Sequence, residues 1–218
     1  GSTINGALAN AGTVTVQGSN ASAFNGTFSN ASGATLNVFG NDTTLTVANG
    51  FTNSGTIVLD EQHPAGNTQN YLTVSAGTLA NAGTIRATDA QGGGGNPTLN
   101  AQVTNTGTLD LDQNLTIVTG TGKTFDTLSG TLDVLAGKTL TISGGTTLFG
   151  TNTVLTGTGT VDFAGTHALT LAADFTLATT VPAWSFSGTV TVASDSATVR
   201  TLTVGSGRSL GLSGDTVA

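Results

Sequence analysis

The stretch Leu8-Ala9-Asn10-Ala11-Gly12-Thr13 returns letter for letter as Leu79-Ala80-Asn81-Ala82-Gly83-Thr84. Each copy runs into a short alternation, Val14-Thr15-Val16 in the first and Ile85-Arg86-Ala87 in the second. Aligned on the Gly-Thr pair, further copies appear as FTNSGTIVL (51–59), VTNTGTLDL (103–111), LTGTGTVDF (155–163) and WSFSGTVTV (184–192). Looser copies stand at FSNASGATLNV (28–38) and FDTLSGTLDV (125–134). A spacing of ~23–29 residues falls in the range of roughly 20–50 that marks solenoids, propellers and arrays.

A second motif interleaves with the first: LTV at 45–47 and 72–74, LTI at 115–117 and 140–142, LTL at 169–171 and LTV at 202–204. Alternate residues of a strand share a face, so the first and third residues of each triplet point inward together. Strands this short cannot hold an isolated sheet, but they can when each coil stacks on the next. A propeller blade needs longer strands and a period of about 40 or more. The expected fold is all-β, a single-domain parallel β-helix of about eight rungs.

On this reading Leu8, Phe51, Leu79, Val103, Leu155 and Trp184 share one inward column. Asn10, Asn30, Asn53, Asn81 and Asn105 share another, where stacked amides can donate and accept along the axis as a structural ladder. Asn tolerates the left-handed backbone of a corner, and the Gly after it relieves crowding. Extra strands are expected in the later rungs near Thr147-Leu148-Phe149 and Phe175-Thr176-Leu177. Pro64, Pro97 and Pro182 all fall between the motifs, where a missing N–H does no harm.

Composition agrees. Apolar residues make up 37% of 218, enough for a core, while only 8% are charged against a usual share of about 25%. Glycine is frequent at 32 residues, and no helical apolar spacing is sustained. The net charge is −7 with five Lys or Arg, so no basic track exists for phosphates and no nucleic-acid partner is expected. No apolar run approaches the ~18 residues of a membrane span, so no membrane insertion is expected. The absence of cysteine excludes disulfides and zinc-thiolate sites. The chain opens on Gly1-Ser2, which reads as a cloning scar. It is expected to be one domain over 1–218, cut from a longer protein.

The combination N-x-G-T-Φ-x-Φ (Φ, an apolar residue) plus LTΦ, rich in Gly, Thr and Asn and free of Cys, resembles the secreted β-helical regions of Gram-negative bacteria. These are the passenger domains of autotransporters and the haemagglutinin-like adhesins of two-partner secretion. The resemblance spans about Gly6 to Val204. It implies a right-handed parallel β-helix at the bacterial cell surface or released outside the cell. It also implies a role in self-association or in adhesion to host or surface glycans and proteins.

Candidate sites are few. Two adjacent loops are long, DEQHPAGNTQNY (60–71) and TDAQGGGGNPT (88–98), the latter followed by Leu99-Asn100-Ala101 in place of LTΦ. Their counterparts lower down are only DQN (112–114) and LAGKT (135–139). The long pair carries the candidate ligand-binding residues Asp60, Glu61, His63, Tyr71 and Asp89, since long loops on a compact scaffold often carry function. Insertions on a solenoid are also tolerated at small cost. The run Gly92–Gly95 lacks the Lys-Ser/Thr and the helix of a phosphate loop. His63 and His167 read as surface histidines.

No catalytic residue is assigned. A polysaccharide-processing enzyme is the alternative: it needs carboxyls about 5–9 Å apart, and with them the Lys, Arg and aromatic residues that are scarce in this chain. An ice-binding solenoid is a second alternative. Its outward threonines are split between faces and interrupted by Asn37, Val58, Arg86 and Asp110. Finally, the middle residue of the Gly-Thr strand reads Thr15, Asn37, Val58, Arg86, Asp110, Asp133, Asp162, Thr191 down the aligned copies. Stacked carboxylates about 5 Å apart make Asp110, Asp133 and Asp162 a candidate weak calcium site, with Arg86 paired to Asp110. No other cofactor is expected.

Overall fold

The computed structural model describes residues 1–61, 69–90, 94–195, 199–207 and 211–212, with the backbone alone at 61, 211 and 212. Every regular element among these residues is a strand, and the strands pair in parallel with their equivalents one turn away. The result is a parallel β-solenoid of about eight turns.

Each turn carries three strand segments. The Gly-Thr segments build a seven-stranded sheet. The Leu-Thr and the Leu-Ala-Asn segments lie in a fifteen-stranded sheet, often fused into one long strand such as Tyr71–Asn81 or Thr98–Asn105. A register shift between Thr73 and Thr78 marks the bend between the two segments. Thr98–Asn105 alternates partly exposed and buried residues without a break, the period-two signature of a strand with one wet face. Its inward members Leu99, Ala101, Val103 and Asn105 are all fully buried.

Glycine at the corner before the Gly-Thr strand is required by contact between turns. A Cβ on Gly83 would lie 2.0 Å from the Gly55 carbonyl oxygen, and one on Gly107 2.0 Å from that of Gly83. The ladder asparagines are not left-handed, contrary to expectation. Asp42 (φ 54°) is the one non-glycine residue with positive φ among those described. The asparagines are there for their amides.

The expected columns hold as far as Gly130-Thr131 and then slip. Thr13, Thr35, Thr56, Thr84, Thr108 and Thr131 stack in register, but the next member is Val154. Gly159-Thr160 instead opens a strand that stacks on Thr139–Phe149, a Leu-Thr segment. Gly188-Thr189 lands on Thr166, in the Leu-Ala-Asn position. Leu155 therefore belongs with Leu132, and Trp184 with Val161 and Leu140, rather than with Leu8 and Leu79. Thr147-Leu148-Phe149 is no extra strand: it stacks on Phe125-Asp126-Thr127 as the ordinary third segment. Phe175–Leu177 is the addition, pairing with Leu202–Val204 in a separate two-stranded sheet. Pro97 and Pro182 lie outside strands, while Pro64 and the chain end at Ala218 lie outside the described residues.

Candidate functional site

The two long loops leave the corner between the Gly-Thr sheet and the Leu-Thr segments. Asp60 and Asp89 are occupied by the scaffold. Asp60 is buried, its Oδ1 accepting the Ala90 amide at 3.0 Å, and its carbonyl accepts Asn70 Nδ2 at 2.5 Å. Asn70, fully buried, accepts the Thr43 amide at 3.0 Å. Asp89 Oδ2 accepts the Gly94 amide at 2.9 Å and Gln113 Nε2 at 3.2 Å. Gln113 Oε1 in turn accepts Lys138 Nζ at 2.9 Å.

Thr43, Asn70 and Gln113 thus belong to a buried polar seam that sequence reasoning missed. A signal was present, since Thr43 and Asn70 each stand two residues before the leucine of an LTV triplet. Among the described loop candidates Tyr71 alone is exposed, at 36%, with its hydroxyl donating to Gln69 Oε1 at 2.6 Å. His63 and the Glu61 side chain lie outside the described residues.

The acidic column is shorter than expected. Arg86, Asp110 and Asp133 stack in register, but the residue after Asp133 is Thr156. Asp162 sits on the other sheet, between Thr141 and Ser185, where its Oδ2 accepts Ser187 Oγ at 2.5 Å. Thr191 stacks on Ala168. Arg86 reaches past Asp110 (3.5 Å) to Asp112, whose Oδ2 accepts the Arg86 Nε–H at 3.0 Å. Partial burial raises the Asp110 carboxyl above its usual range. The Arg86 charge opposes that shift, while Asp112 and Asp133 add to it. Among the described residues no group of three His, Cys, Asp or Glu is placed to hold a metal ion.

The solvent-facing columns are built mainly of uncharged polar groups. Besides the six-threonine column of the Gly-Thr sheet, the Leu-Thr face carries Thr44, Tyr71, Thr98, Thr116 and Thr141 in one register. Thr46, Thr73, Asn100, Val118 and Ser143 form the parallel column two residues along. Strand geometry spaces such groups about 4.8 Å apart along the axis and roughly 6.6 Å across it.

Two further features lie elsewhere. A cleft of about 230 Å³ at the first turn is lined by Ile4, Val14, Val16, Phe24, Ser22 and Gln17 among others, none of them titratable. His167 is no surface residue: it is 2% exposed, with Nδ1 2.8 Å from the Gly144 carbonyl and Nε2 3.0 Å from Thr147 Oγ1. Burial lowers its pKa, opposed by the Gly144 bond.

No protein-family model, curated protein or solved structure matches the chain.

Proposed function

We propose that this chain is a non-catalytic segment of a secreted bacterial surface protein, whose regular faces adhere to neutral glycans or to a like surface. The observation that carries the reading is the pair of registered columns on the Leu-Thr face, running from Thr44 to Thr141 and from Thr46 to Ser143. Many hydroxyl and amide groups at a fixed repeat can each make a weak, reversible hydrogen bond. Tyr71 in their midst adds the flat aromatic surface on which a sugar ring stacks. The scarcity of charge on that face favours an uncharged partner. An extracellular location follows from the same reading, together with the resemblance to secreted β-helices.

Glycan-array binding and sedimentation velocity test it. Binding to neutral glycans that Tyr71→Ala reduces several-fold is the expected result, with concentration-dependent association as the other adhesive outcome. A strict monomer with no glycan bound would leave only a passive stalk. The ice-binding alternative needs two filled hydroxyl columns side by side. Tyr71, Asn100 and Val118 interrupt them on this face, and Arg86 and Asp110 do so on the Gly-Thr sheet.

A further inference from the structure

Three Asn-Gly dipeptides, Asn5-Gly6, Asn25-Gly26 and Asn49-Gly50, occupy the same corner on three consecutive turns. Backbone bonds fix the stacking: the Asn25 amide donates to the Ile4 carbonyl at 2.8 Å, and the Ala48 amide to that of Phe24 at 2.9 Å. All three asparagines are exposed. Among the described residues, none of the three glycine amides donates to a backbone carbonyl. The corner glycines Gly83 and Gly107, by contrast, donate at 2.9 and 3.0 Å.

Two observations separate the first dipeptide from the others. Asn5 Oδ1 accepts a hydrogen bond from Asn25 Nδ2 at 2.7 Å, whereas no such donor meets the side-chain oxygen of Asn25 or Asn49 among the described residues. Glycine is also sterically required at 26 and 50. A Cβ at 26 would stand 2.1 Å from the Gly6 carbonyl oxygen, and one at 50 would stand 2.4 Å from the Thr78 nitrogen. A Cβ at Gly6 meets nothing within 4 Å. Packing therefore accounts for glycine at 26 and 50.

We propose that Asn5 is a modification site, deamidating through attack by the Gly6 nitrogen with Asn25 polarising the side-chain carbonyl. The unbonded Gly6 N–H gives up its proton to base, and the nitrogen forms a bond to Asn5 Cγ. The developing oxyanion on Oδ1 is held by the Asn25 Nδ2–H, as donors aimed at a developing negative charge stabilise it. The Cγ–Nδ2 bond breaks and ammonia leaves with a proton from water. A second water then opens the five-membered imide to an aspartyl or isoaspartyl residue. The net change is amide plus water to carboxylic acid plus ammonia.

The new carboxylate would accept from Asn25 Nδ2 as a charge-assisted bond, stronger than the neutral one it replaces. Residues 1–41 contain no Asp, Glu, Lys, Arg or His, so this event would place the first side-chain charge in a neutral segment.

The full chain, incubated at mildly alkaline pH and followed by peptide mass spectrometry with isoaspartyl methyltransferase labelling, decides the matter. Expected is a mass gain of one NH-to-O exchange in the Asn5 peptide, several-fold faster than at Asn25 or Asn49. Gly6→Ala should suppress it, with an unchanged melting temperature confirming the fold. Asn25→Ala should slow it several-fold and serves as the test should Gly6→Ala fail to fold. Equal rates at the three asparagines, or an Asn5 rate untouched by Asn25→Ala, would overturn the proposal.

Discussion

The first five turns and the later ones fill the same interior column by opposite means. From Asn10 to Asn105 each Nδ2 donates to the next Oδ1 at 2.7–2.8 Å. Each also donates to a threonine carbonyl of the adjoining Gly-Thr strand at 2.9–3.5 Å. Beyond Asn105 the register continues through Thr127, Phe149, Leu171 and Ser194. There Phe149 packs against Phe163, Phe175 and Trp184 at centroid distances of 6.1, 5.6 and 5.1 Å. An amide ladder is directional and ties each Asn to the Gly-Thr strand of the next turn. Aromatic packing is bulky and indifferent to phase. The Gly-Thr motif accordingly keeps one face as far as Thr131, the last strand that a ladder asparagine reaches, and wanders between faces beyond it.

The comparison predicts unequal costs. Phe163→Ala should be the most damaging single change, since Phe163 is fully buried against Phe149, Trp184, Phe186 and His167. A loss of about 3–5 kcal/mol is expected in denaturant titration. Asn53→Ala should cost about 1–3 kcal/mol, because Asn30 Nδ2 loses its acceptor and Asn81 Oδ1 loses its donor. Asn10→Ala, at the end of the ladder, should cost less. Equal losses at 10 and 53 would show that the asparagines act singly and not as a chain.

The same contrast explains what the sequence made legible. The fold was readable because LANAGT couples an apolar anchor, a ladder amide and a sterically obligatory glycine at fixed offsets, a combination few other structures demand. The later copies, such as LTGTGTVDF, retain only the generic part: a small corner residue and an alternating strand, which suits any face of a solenoid. Asp162 was misplaced for that reason alone. The loop carboxylates were visible as chemistry, but Asp60 and Asp89 turn out to be tied down by Ala90, Gly94 and Gln113, contacts that depend on how long loops fold back. His167 reads as a surface histidine in sequence, with no Ser or Cys context to suggest chemistry. In the fold its side chain points into the interior, toward Phe163 and Thr147.

Acid should divide the two regions. With its folded-state pKa lowered, His167 favours the neutral form. Its contribution to stability is complete above the ordinary value of 6.5 and is lost as pH falls from there toward the folded-state value. The ladder asparagines do not titrate. Trp184, the chain's one tryptophan, reports on the right region, because Phe163 lies 5.4 Å from the His167 ring and 5.5 Å from Trp184. Tryptophan fluorescence should register loosening of the last turns below that pH while hydrogen exchange at Asn30, Asn53 and Asn81 stays slow, and His167→Gln should flatten the response. Simultaneous loss of both regions would mean that the solenoid unfolds as one unit.

Where the ladder stops, a smaller effect of opposite sign is expected. Thr127 is fully buried and its hydroxyl has no partner among the described residues. Thr127→Val removes that unmet polar group at nearly constant volume, and should raise stability by up to about 1 kcal/mol. Thr127→Asn is the sharper probe. If the amide can accept from Asn105 Nδ2, the ladder gains a step and the melting temperature does not fall. A marked drop would show that Phe149 already leaves the column too narrow for an amide.

The smallest effect belongs to the outer face, where Arg86 bridges to Asp110 and Asp112 beside Asp133. The side chains are 47%, 32% and 35% exposed, so solvent and salt screen the pairs and the net worth of such contacts is usually under about 1 kcal/mol. Arg86→Gln should cost no more than that at low salt and nothing measurable at high salt. Its informative consequence concerns cations and protons. Because the folded Asp110 pKa is raised, its ionisation destabilises the fold. That contribution is absent below the ordinary carboxylate range and is felt as pH rises through the folded value, so mild acidification recovers stability. Removing the guanidinium withdraws the opposing charge and should enlarge this recovery. It should also let millimolar calcium raise the melting temperature of Arg86→Gln, by neutralising Asp110, Asp112 and Asp133 in its stead, while wild type barely responds. A calcium response as large in wild type as in the variant would mean that cation and guanidinium do not compete, and that the column is neutralised by something other than Arg86.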